Sequence, residues 1–127
     1  MNVKFQDLRV VSADDVEAAI VRDSPDELPF VPIIIAISSA DLPYATKVCS
    51  RLASHPDPTV RGYAIMSLGH LARRFKEIDE ALVRPLLERA LNDHDELVRE
   101  LTKSAADEIH QFLHWTIRGH VYGASSH

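Results

Sequence analysis

A repeat at a fixed offset constrains this chain more than any other feature. From Asp57 to Phe75 it runs DPTVRGYAIMSLGHLARRF, and from Asp95 it runs DELVRELTKSAADEIHQFL. Asp95, Val98, Arg99, Ala106 and Ile109 stand 38 positions after Asp57, Val60, Arg61, Leu68 and Leu71. In the first copy Val60, Ala64, Leu68, Leu71 and Phe75 step by three or four residues, the spacing of one helix face. Asp57-Pro58 supplies an N-cap and a first-turn proline. Arg73, Arg74 and Lys76 put positive charge at the carbonyl end, where the helix dipole favours it. A helix repeated at this period buries its apolar face against its own neighbours. The pattern predicts an all-α chain of stacked helical hairpins.

The remaining segments supply the partners. Phe5, Leu8 and Val11 predict a short segment docking on the first helix. Ser12 and Asp15 form a capping-box-like start to a helix near 13–22, with Val16, Ala19 and Ile20 as its apolar stripe. Pro29 and Pro32 predict an irregular start to the next element, followed by helix to Ser38. The run Ile33 to Ile37 also suits a buried strand, but it has no strand partner elsewhere. Asp41 caps a helix from Leu42 to about Ser54, with Ala45, Val48, Cys49 and Leu52 on its apolar face. Pro85 places the regular part of the following element at Pro85–Leu91, after a looser turn. The last helix is predicted from Glu96 to Ile117, ending before Gly119. The pairs are then 13–22 with 28–39, 42–54 with 58–75, and 80–91 with 96–117. Short links make each pair antiparallel, giving a right-handed α-solenoid. It forms one domain over 1–118, and 119–127 fray unless Val121 and Tyr122 dock.

Composition narrows the function classes. The longest apolar run, Val31 to Ile37, is too short to cross a bilayer, and the first residues lack the apolar core of a secretion signal. One cysteine, Cys49, cannot close an internal disulfide, so a cytoplasmic protein is expected. The net charge is −5, and residues 1–41 carry all of it, with three basic residues against eight acidic ones. An acidic front end repels phosphate backbones and attracts basic surfaces, which argues against nucleic acid as a partner.

The motif D-x-x-V-R at Asp57-Val60-Arg61 and Asp95-Val98-Arg99 resembles the second helix of a HEAT repeat. Ser67-Leu68-Gly69 with Leu71 matches that family's small–Leu–Gly step, and Pro85-Leu86-Leu87 with Ala90-Leu91 is similar to its first helix. The resemblance covers residues 41–117. In 1–40 only Ser24-Pro25-Asp26 matches, with no Val-Arg after it. The resemblance implies that Asp57, Arg61, Asp95 and Arg99 form a structural ladder between repeats. It also implies a binding surface and no catalysis. In size and acidity the chain is similar to small bacterial HEAT-like immunity proteins, which neutralise a toxin.

Candidate chemistry is sparse. His110 and His114 lie four apart with Asp107 one turn earlier, a spacing that can hold zinc. No third motif supports them, and a solvated polar stripe is the simpler expectation, so neither metal nor cofactor is assigned. Cys49 sits on an apolar face, as a buried inert thiol does. Tyr63, Arg73 and Arg74 are the local hint of the alternative, a nucleic-acid-binding or base-modifying HEAT-like enzyme. Two surfaces stand out for protein binding. The acidic cluster Asp14, Asp15, Glu17, Asp23, Asp26 and Glu27 suits a basic partner such as a toxin domain. Tyr63, His70, Arg74 and Lys103 are expected to line a groove. A second apolar stripe on the last helix, Leu101, Ala105 and Phe112, with Trp115 nearby, suggests a covered end, by the chain's own tail, a partner or a second copy as a homodimer.

Overall fold

The computed structural model describes residues 12–122, and the expected docking of Phe5, Leu8 and Val11 lies outside them. Among the described residues there are six α-helices and no strand. They are α1 (Ala13–Arg22), α2 (Val31–Ser38), α3 (Leu42–Leu52), α4 (Pro58–Phe75), α5 (Glu80–Ala90) and α6 (Glu96–Leu113), with a 3₁₀ turn at Leu28–Phe30 before α2. The architecture is the expected all-α one, a short α-solenoid.

Polar contacts separated by about one repeat define two layers. Glu17 meets Arg51 and Asp23 meets His55, so α1 and α3 run in the same direction. Ser54 receives a bond from Arg89, extending that layer to α5. In the other layer Phe30 lies against Tyr63, and the carbonyls of Ala36 and Ser39 receive Arg74, so α2 and α4 are parallel. Gly62 faces Val98 and Leu101 while Gly69 faces Ala105, so α4 and α6 are parallel too. The core between the layers includes Val16, Ile35, Val48, Leu52, Leu68, Leu71, Leu87 and Ile109.

Helix starts follow one local rule. Asp41, Asp57, Asp79 and Asp95 each cap a helix by accepting from an amide in its first turn. Ahead of three of these caps a side chain two residues back accepts the cap's own amide: Ser39 for Asp41, His55 for Asp57 and Asp93 for Asp95, at 3.1, 2.9 and 3.0 Å. Ser24 does the same for Asp26 at 3.3 Å. No side chain caps the 3₁₀ turn that follows, and α2 starts irregularly.

Two boundaries depart from expectation. α5 does not begin at Pro85 but at Glu80, with Pro85 inside it. Asp79 caps that start, and Ala81, whose carbonyl loses its partner at Pro85, lies with Pro85 on the exposed side, where solvent can reach that carbonyl. α6 ends at Leu113, four residues short of Ile117, because His114 takes a left-handed conformation with φ 65°. The chain reverses there and buries Ile117, which is 2% exposed, and the Ile117 amide donates to Tyr122 Oη at 2.8 Å. Arg84 binds the Thr116 carbonyl and lies over the Trp115 ring.

Candidate partner-binding surface

The acidic cluster on and after α1 is partly neutralised by the chain itself. Glu17 pairs with Arg51 at 2.8 Å, Asp23 lies 2.7 Å from His55 Nε2, and Glu27 receives two bonds from Arg22 at 2.9 and 2.7 Å. Arg22 holds the Glu27 carboxyl below the usual carboxylate range, chiefly by hydrogen bonding. Asp15 sits in the first turn, where its amide donates to Ser12 Oγ. Asp14 and Asp26 are exposed and make no ion pair among the described residues. The outward acidic face is therefore smaller than the sequence suggests.

Four residues of the expected ladder gather at the repeat junction, but in unequal roles. Asp57 and Asp95 cap helices. Arg61 donates twice to Asp93, at 2.9 and 2.8 Å, and also to the carbonyls of His55 and Pro56. Arg99 donates to the Asp93 carbonyl at 2.8 Å. The carboxylate that joins the repeats is Asp93, which sequence analysis missed. Its signal was its place two residues before Asp95, matching His55 before Asp57. Hydrogen bonding from Arg61 is the main reason its carboxyl lies below the usual range.

The residues expected to line one groove are not all brought together. Tyr63 and His70 lie on the outer face of α4. His70 borders a shallow groove of about 430 Å³ between α4 and α6, with Met66, Leu101, Ser104, Glu108 and Gln111. Arg74 instead reaches α2 and binds its terminal carbonyls. Lys103 pairs with Glu100, and it stands two residues from Leu101, about 200° around the helix. At the end of the groove Glu108 lies 3.1 Å from Arg73 and 3.4 Å from His70 Nδ1.

The apolar stripe on α6 has an internal explanation. A Cβ on Gly62 would stand 3.0 Å from Leu101 Cδ1, and one on Gly69 would stand 3.1 Å from Ala105 Cα. The two glycines open α4 to receive Leu101 and Ala105, while Lys76 Nζ covers the Phe112 ring at 4.3 Å. The stripe that suggested a homodimer is packed within the chain, and no homodimer is proposed.

The remaining polar candidates also serve structure. Asp107 lies 2.7 Å from His120 Nε2, the His110 ring lies on Tyr122, and His114 is the αL residue that ends α6. Thus His110, His114 and Asp107 do not form a ligand set, and among the described residues no group of three His, Cys, Asp or Glu is placed to hold a metal ion. Cys49 is fully buried with Sγ 3.8 Å from the Pro32 carbonyl, and burial pushes its thiol up to about 12. Such a thiol forms no thiolate nucleophile near neutral pH. No helix among the described residues is long and apolar enough to cross a membrane.

Helix α2 also carries an outward apolar face that its sequence pattern does not mark. Ile33 and Ile34 are half-buried and Ile37 is 59% exposed, opposite the buried Val31, Pro32, Ile35 and Ala36.

Comparison with known proteins follows this geometry closely. A model of HEAT repeats matches residues 14–107. No curated protein matches the chain. Among solved structures the fold is similar to that of a chain in the "crystal structure of CDI complex from Cupriavidus taiwanensis LMG 19424". The likeness has a TM-score of 0.70 at 21% identity and covers 87% of this chain and 98% of the other.

Proposed function

We propose, from the premise that the chain belongs to the HEAT-repeat family, that it is a non-catalytic module that binds another protein, as an immunity protein binds and neutralises a toxin. The observation that carries this is the likeness to a chain of a CDI complex over nearly the whole length of both. On this reading the chain acts in the cytoplasm and takes a partner with a basic surface. The net charge of −5 favours such a partner. Asp14 and Asp26, which make no ion pair among the described residues, supply the nearest attraction.

The alternative, a nucleic-acid-binding or base-modifying HEAT-like enzyme, fits the geometry less well. Arg73 and Arg74, its best phosphate-binding candidates, are engaged by Glu108 and by the α2 carbonyls. A phosphate contact would have to displace both.

The test is calorimetric titration of the purified chain with a toxin domain encoded by a gene neighbouring its own, identified from the genome that carries it. Binding that inhibits the toxin and weakens with added salt is expected. Asp14→Lys with Asp26→Lys should weaken it about tenfold, the equivalent of about 1.4 kcal/mol. No heat of binding, or turnover of a duplex substrate by the chain alone, overturns the proposal.

A further inference from the structure

The parallel helices α2, α4 and α6 leave one face turned away from the buried core. Helix α2, VPIIIAIS, carries no charged side chain and is apolar all round. A helix of that composition is normally covered on every side. Here only one side is covered, while Ile33, Ile34 and Ile37 face outward. On the same side lie Tyr63 and Met66 of α4, both half-buried, and, at the amino-terminal end of α6, Leu97, which is 41% exposed. Apolar side chains exposed together on one side of a solenoid suit a protein contact, and Tyr and Met are enriched at such contacts.

Charge along its edges distinguishes between occupants. The amino-terminal ends of the three helices lie on one edge, where Asp26 and Glu96 are exposed and make no ion pair among the described residues. On the opposite edge Arg73 and Arg74 already have carboxylate and carbonyl partners. The open electrostatic demand is therefore for cations along one side. A second copy of the chain brings the same acidic edge and the same net charge of −5.

We infer that the partner docks on this face, with the acidic residues of α1 attracting it only from a distance, and that the face takes an amphipathic segment whose apolar side is bordered by Lys or Arg. The inference rests on the protein-binding reading above and names its surface. The apolar strip excludes water and fixes register, as the interface centre does, while the acidic rim selects the partner's charge.

The test places a photo-crosslinking side chain in the full-length protein, as Ile37→p-benzoylphenylalanine. A control carries the same group at Val21, which is 81% exposed on α1 and off the strip. The probe is a helical Leu/Lys peptide with one apolar face, and a Leu/Glu peptide is its charge control. Crosslinking of the Leu/Lys peptide from position 37 is expected at about ten times the yield from position 21, and this yield should fall about tenfold when Leu97→Lys is added, which removes apolar area and repels the peptide's lysines. Equal yields from both positions, equal capture of the Leu/Glu peptide, a crosslink to a second copy, or a crosslink to residues 1–11 of the same chain each overturn the inference. The toxin domain separates the two claims. Calorimetric binding with crosslinks from position 21 alone removes this surface and leaves the protein-binding function standing, whereas no binding removes the function itself.

Discussion

Two glycines seven residues apart bring the backbone of α4 close to that of α6, and Leu101 and Ala105 fill the space that their missing side chains leave. The first pair has no such seam. There a 3₁₀ turn without a side-chain cap leads into a short helix that is apolar on both sides, and α1 is tied to α3 through the exposed Glu17–Arg51 and Asp23–His55 pairs. Where the repeat motif is strong, the apolar stripe of the second helix is taken up by close packing of α4 on α6. Where it is weak, Ile37 of α2 is left 59% exposed. On the proposed reading, stability comes chiefly from the seam between α4 and α6, and recognition draws on the surface that α2 leaves open.

Substitutions can break or sharpen that contrast. The largest difference is expected between Ile109→Ala and Ile37→Ala. Ile109 is fully buried, so its truncation should cost about 4 kcal/mol, read from the urea midpoint. Truncation of Ile37, at 59% exposure, should stay within about 0.5 kcal/mol. Equal costs would erase the distinction between the two regions. Next comes Gly69→Val, expected to cost about 3 kcal/mol by overpacking against Ala105, whose Cβ would already stand 3.2 Å from the first added carbon. A neutral result would mean that α4 and α6 separate freely.

A smaller contrast compares the ion pairs that join repeats. Arg61→Ala removes a two-bonded partner from the largely shielded Asp93 and should cost about 2 kcal/mol. Arg51→Ala breaks the exposed pair with Glu17 and should cost no more than about 0.5 kcal/mol. The Arg61–Asp93 pair has a pH signature as well. Arg61 lowers the Asp93 carboxyl in the folded state, so its stabilisation is present above the unfolded value of about 3.9 and is lost as pH falls through the folded one. The parent protein should lose stability on acidification below about pH 4 more steeply than Asp93→Asn. Identical acid limbs for the two would show that the pair does not hold the repeats together.

How much of this was legible in the sequence depended on the kind of signal. The period of Val60, Ala64, Leu68, Leu71 and Phe75, with Asp57-Pro58 before it, marks α4 because cap and stripe are local properties of a helix. The Ser67-Leu68-Gly69 step was legible too, since a glycine in a buried helix face has close approach as its physical use. Asp93 was not, because its bond to Arg61 spans the junction between two repeats and depends on their register. Nor was the exposure of Ile37, since an isoleucine-rich run signals burial whichever way each side chain points. For the same reason Leu101 and Ala105 suggested an open patch until the glycines opposite them were placed. Lys103 and Arg74 share a groove only if helix phase is ignored. At Pro85 the rule against internal prolines gave way, because its cost falls on a carbonyl that water can reach.

Hydrogen exchange of the chain alone and with the toxin domain bound addresses the central claim directly, that the solenoid holds a protein on the outer face of α2, α4 and α6. The account predicts slowed exchange in residues 28–38, 63–70 and 97–104, with α3 and α5 unchanged. Slowing confined to α3 and α5, or no slowing anywhere at saturating toxin domain, would contradict it.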